Sequence, residues 1–225
     1  MNYPTQFLKM ILILIMVIIP LGFGSNVSYF INGAIRKKGV GFNLLGMVIA
    51  YSLILILVWI AGYGDLFYFK STSILLYLCS PILGIICILG EYAIGVLSNF
   101  ILTKKWVFKI SVHSSYSKEA KIEVFDILIV GAFVIIEELI FRQVLYNLLF
   151  KNFGMKEITV LIICSLVFAL NHINYGVVTV PQKILSGLIY SLFYMISGYC
   201  ILVPIIGHMV QNFSLLYLSR AGDLK

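Results

Sequence analysis

Residues 124–149 read VFDILIVGAFVIIEELIFRQVLYNLL, a run long and apolar enough to cross a bilayer that nevertheless carries Glu137, Glu138 and Arg142 in its second half. Crossing the hydrocarbon core takes about 20 predominantly apolar helical residues. Outward from this run the chain offers six more candidates, at 7–24, 43–64, 73–101, 157–173, 182–198 and 200–219. The runs at 157–173 and 182–198 are short. The run at 73–101 is long and contains Pro81, which predicts a bend or a tilt. Within lipid every backbone polar group must be satisfied internally, and no stretch alternates with the polarity of barrel strands. The expected fold is all-α: a polytopic transmembrane helical bundle of about seven spans forming a single integral domain over 1–225. Within it, 7–123 holds N-terminal spans and a polar connection, and 124–219 holds the chemistry.

Composition supports this reading. Of the 225 residues 61% are hydrophobic and 11% charged, against about a quarter charged in ordinary soluble domains. The net charge of +7 resides in connecting segments, with Arg36, Lys37 and Lys38 in one cluster and Lys104, Lys105, Lys109, Lys118 and Lys121 in another. That pattern meets anionic headgroups and sets orientation; it offers no basic face for nucleic acid. With seven spans, eleven Lys and Arg fall on one side and four on the other, which predicts an external N-terminus and a cytoplasmic C-terminus. Cys79, Cys87, Cys164 and Cys200 sit in or beside apolar runs without metal-type pairing and read as small core residues. The run from Met10 to Phe23 after Lys9 resembles a secretory signal, but the spans that follow favour an uncleaved first helix.

Ionisable groups inside spans are expensive and functional by default. Glu138 and Arg142 are spaced i, i+4 with the acid first, the favourable geometry for a helical ion pair. Glu137 is rotated by about 100° from its neighbour and lacks that partner, leaving it suited to taking and returning a proton. The run at 157–173 closes with Phe168-Ala169-Leu170-Asn171-His172, and Phe168 and His172 share a face. The last run contains His208-Met209-Val210-Gln211-Asn212, where His208 and Asn212 share a face. Read singly, each has a structural explanation: a buried ion-pair network, an interfacial histidine, an interhelical hydrogen-bond pair. Three polar sites on three helices with complementary proton-transfer and donor chemistry favour one common site.

Other polar groups carry less. His113 reads as a solvated side chain, Asp126 as an acid complementing a helix N-terminus, and Glu91 as the unexplained acid of its run, with a hydrogen-bonded packing role, a place near an interface and a supporting role near the site as its readings. Gly131, Ser186, Gly187, Ser197 and Gly198 read as small residues that let helices approach closely.

The series Glu137-Glu138-x-x-x-Arg142, Phe168-x-x-x-His172 and His208-x-x-x-Asn212 resembles the CPBP family, which contains type II CAAX prenyl endopeptidases and bacterial intramembrane proteases, some tied to bacteriocin processing or self-immunity. Order and spacing match over roughly 124–219. The resemblance implies an endopeptidase in which Glu137 and His172 activate water, His208 and Asn212 stabilise the oxyanion, and Glu138, Arg142 and Phe168 support them. It further implies a peptide or membrane-protein substrate and residence in a bacterial plasma membrane. Glu137, His172 and His208 together also form a two-histidine, one-glutamate set of a kind that binds catalytic zinc. Family members have been described both as metalloproteases and as glutamate-dependent enzymes. No HExxH motif settles the point, and using Glu137 as a ligand would remove the obvious base, so the metal-free mechanism is preferred with zinc left open. The competing readings are a non-proteolytic immunity or regulatory membrane partner and a small proton-coupled transporter. The absence of repeat symmetry speaks against the transporter.

Overall fold

The computed structural model describes residues 3–20, 22, 24–27, 44–108 and 123–223, with side chains up to 219. The basic cluster at Arg36–Lys38, His113 and most of the polar connection lie outside the described residues. Among the described residues there are helices and turns and no strand. Seven α-helices have both ends among the described residues: α1 Tyr3–Ile18, α2 Leu44–Val58, α3 Ile74–Thr103, α4 Val124–Glu138, α5 Glu157–Leu170, α6 Thr179–Ile196 and α7 Leu202–Asp223. They coincide in position with the seven apolar runs. Three helical stretches are long and apolar enough to cross a membrane, Leu44–Leu66, Ile74–Thr103 and Leu202–Ser219; Pro4–Ile18 and Glu157–Leu170 are shorter apolar helices.

Several local details follow from the residues. At the start of α4, Glu123 is the N-cap, and the Asp126 carboxylate accepts a bond from its backbone N–H at 3.1 Å. Asp126 therefore caps a helix, as its position suggested. α3 runs unbroken through Pro81, and its 30 residues span about 45 Å at 1.5 Å per residue, more than a bilayer core. α4 continues into a π-helical segment at Leu139–Leu145, a widened turn of a kind common at functional sites. α5 ends at Leu170, earlier than the run to 173 predicts. The Asn171 amide donates to the Val167 carbonyl at 2.8 Å and to the Ile18 carbonyl of α1 at 2.9 Å. A side chain that bonds the last carbonyls competes with further helix. His172 thus stands in the turn beyond α5, followed by a 3-10 segment at Ile173–Tyr175.

The bundle packs α7 against α3, α6 against both α5 and α3, and α4 against α2 and α7. Two of these contacts depend on glycine. A Cβ on Gly84 of α3 would collide with the Gly207 backbone carbonyl of α7, and one on Gly187 of α6 would sit 3.0 Å from Ser165 Cα of α5. Gly131 differs: a Cβ there would meet only the Phe213 ring at 3.5 Å and Met209 at 3.9 Å, which is ordinary contact, so close packing does not explain it. Gly84→Ala is expected to destabilise by about 1–3 kcal/mol through overpacking, because backbone cannot yield as a side-chain tip can. Gly131→Ala should be neutral or stabilising by up to about 1 kcal/mol, the helix-propensity difference. Thermal unfolding of the two variants in detergent micelles checks the contrast.

Candidate active site

The candidate residues stand on α4 and its continuation, on α5 and the turn after it, and on α7. Contacts join Glu138, Arg142, Phe168, His172, His208 and Asn212, and no hydrogen bond, ion pair or ring contact among the described residues joins Glu137 to them. Glu137 and Glu138 occupy the last two positions of α4 and are 3% and 0% exposed. Their environments differ as the helical spacing predicts. Glu138 Oε1 accepts from Arg142 Nη1 at 3.1 Å, closing a buried i, i+4 ion pair. The same oxygen lies 2.7 Å from His208 Nδ1. No hydrogen bond or ion pair among the described residues reaches the Glu137 carboxylate, which lies within electrostatic range of Tyr51 and Tyr175.

His172 and His208 each have Nδ1 committed. His172 Nδ1 lies 2.9 Å from the Phe168 carbonyl, which only accepts, so Nδ1 carries the proton and the Nε2 lone pair is free. His172 is half-buried, at the edge where solvent reaches the turn. The ring of the neighbouring Tyr175 lies 5.9 Å from the His172 ring. His208 is buried, and its Nδ1 faces an acceptor that, when ionised, requires a proton there. The amide nitrogen of Asn212 lies 3.4 Å from His208 Nε2. In the neutral ring Nε2 accepts from that amide. In the imidazolium both nitrogens donate, with Glu138 balancing the charge.

Phe168 joins the two halves. Its buried ring has centroid distances of 4.7 Å to His172 and 6.0 Å to His208. It also meets the Phe141 ring edge-on at 5.4 Å. The Arg142 guanidinium carbon sits 4.5 Å from the Phe168 centroid, a desolvated cation–π contact. A groove of about 430 Å3 runs between α1 and the end of α5, lined by Ile18, Ile19, Val167, Leu170, Asn171 and Ile173, so it reaches the residues on either side of His172.

The sequence reading missed how these groups are backed from behind. Glu138 is more than a brace for its own helix, since it also crosses to His208 of α7. Glu91 of α3, unexplained by the sequence, pairs with Lys183 of α6 at 2.8 and 3.1 Å and accepts from Ser186 Oγ at 2.6 Å. The signal was available: Glu91 is the one acid in its apolar run and Lys183 the one cation in its own. Two lone opposite charges in lipid need each other.

A zinc site finds less support in this geometry. No three His, Cys, Asp or Glu side chains among the described residues stand close enough together to hold a metal ion, and Glu137, His172 and His208 are all described. The Arg142 guanidinium adds a fixed positive charge beside the histidines. The donor set does not fit a divalent ion as arranged.

Comparison with known proteins adds an independent finding. Residues 121–214 match the family described as type II CAAX prenyl endopeptidase Rce1-like. This stretch is Rce1-like. The Rce1-like segment begins just before α4 and contains all three motifs, as the CPBP resemblance implied, and the family is one of proteases. No curated protein and no solved structure matches the chain.

Proposed function

We propose that the chain is an intramembrane endopeptidase that hydrolyses peptide bonds of a peptide or membrane-protein substrate, with the whole chain acting as a single bilayer-embedded unit of about seven spans. The observation that carries this reading is that both histidines rest on one Phe168 ring, His172 with its Nε2 lone pair free and His208 with Nδ1 on the Glu138 carboxylate and Nε2 beside the Asn212 amide. Glu137 and the His172 Nε2 lone pair hold and deprotonate a water, whose oxygen attacks the peptide carbonyl carbon. The oxygen of the tetrahedral intermediate takes hydrogen bonds from the Asn212 amide and from protonated His208 Nε2, which Glu138 steadies through Nδ1. Collapse breaks the C–N bond, and the proton held by Glu137 passes to the leaving amine. The match of residues 121–214 to the Rce1-like family supports an endopeptidase, and the long apolar helices support a membrane setting.

The test is cleavage of candidate peptides by the purified protein in detergent, in water enriched in oxygen-18. Hydrolysis is expected to place one heavy oxygen in the new C-terminal carboxylate. Product formation should persist after treatment with EDTA and 1,10-phenanthroline. Chelator-sensitive cleavage that zinc restores would replace the glutamate mechanism with a metal one, and failure of Glu137→Gln to lower the rate would remove the assignment altogether.

A further inference from the structure

A polar chain links the ion pair between α3 and α6 to the face of the proposed oxyanion histidine. Tyr190 of α6 is fully buried, and its ring lies flat against His208, with centroids 5.2 Å apart and planes inclined by 24°. Its hydroxyl donates to Gln211 Oε1 at 2.7 Å. The Gln211 amide donates to Ser186 Oγ at 3.5 Å, and the Ser186 hydroxyl donates to Glu91 Oε1 at 2.6 Å. The Glu91 carboxylate is neutralised by Lys183, and its backbone carbonyl accepts from Gln182 Nε2 at 2.8 Å. Every proton in the chain points the same way, towards the carboxylate, so that one charged acceptor fixes each donor in turn. Tyr190 and Ser186 each gain a partner that a buried hydroxyl requires.

We infer that Tyr190 is a positioning residue for His208, and that Glu91, acting with Lys183 through Ser186 and Gln211, holds Tyr190 in place; this rests on the proposed peptidase reading. Glu138 fixes the His208 ring within its plane, and Tyr190 fixes the plane itself. Together they aim Nε2 at the point beside Asn212 where an oxyanion would form. The pairing also keeps Lys183 neutralised next to a site whose Glu137, His172 and His208 all lie within its electrostatic range. The lever is a residue on α3, outside the Rce1-like segment.

The test uses the full chain in micelles with the peptide of the oxygen-18 assay. Tyr190→Phe, which keeps the ring and loses the hydrogen bond, should lower kcat about 10-fold at unchanged KM; Tyr190→Leu, which loses the ring, should lower it about 100-fold, the scale of a misplaced catalytic group. Glu91→Gln combined with Lys183→Gln removes the pair without stranding either charge. It should lower kcat about as much as Tyr190→Phe, and adding Tyr190→Phe to it should lower kcat no further. Wild-type kcat in these variants alongside an inactive Glu137→Gln would overturn the inference and leave the peptidase reading intact. Independent, multiplicative losses would also overturn it. If Glu137→Gln instead cleaves like wild type, the peptidase reading fails, and histidine ring nitrogen spectra decide the inference alone: Tyr190→Leu should broaden or split the His208 signals and spare those of His172, and an unchanged His208 set would sink it.

Discussion

Glu137→Gln is expected to lower the hydrolysis rate by about 10²–10⁴-fold, the range that a positioned general base supplies, while the protein stays folded. The second half of that statement is the discriminating one. Among the described residues no hydrogen bond or ion pair ends on the Glu137 carboxylate, which is 3% exposed. Replacing it with the neutral isostere therefore strands no partner, and it relieves the penalty of holding an acid in an apolar site. The melting temperature in micelles should be equal to or above that of wild type. A variant that is inactive and also markedly less stable would assign Glu137 to the framework.

The opposite pattern is expected at Arg142. Arg142→Ala should destabilise the protein by about 3–5 kcal/mol, because it leaves a buried carboxylate with one charge partner removed. The lost guanidinium also gives up its seat on Phe168 at 4.5 Å. The double variant Glu138→Gln/Arg142→Met, which removes both charges and preserves much of the volume, should recover a large part of that stability. It should not recover cleavage, since His208 Nδ1 then loses the carboxylate at 2.7 Å that steadies it. Equilibrium unfolding and the cleavage assay together read both quantities. Additive stability losses in the double variant would show that the two side chains do not act as a pair.

These contrasting expectations show what was legible in the residues. Helical spacing alone separated Glu137 from Glu138, because i, i+4 geometry is local and needs no knowledge of the rest of the fold. The apolar runs located the seven α-helices given above among the described residues for the same reason. Phe168 was legible as part of a motif but not as a platform, since its contacts with Arg142 and His208 come from other helices. The end of α5 was misplaced by three residues, from 173 to 170, because Asn171 caps the helix with its side chain, and an apolar count does not register that competition. Tyr190, Ser186 and Gln211 were illegible as a group. Their connection depends on which faces of α6 and α7 turn towards α3, and that is set by backbone contacts such as Gly84 against Gly207.

The bond from Asn171 to the Ile18 carbonyl moors the turn that bears His172 to the opening helix of the chain. α1 carries none of the three motifs, yet it anchors the position of the proposed base from 153 residues away in sequence. The smallest piece expected to perform the proposed chemistry is therefore larger than the Rce1-like stretch. Trimming the N-terminal helix is expected to slacken the turn that bears His172, although all three motifs would still be present in the chain.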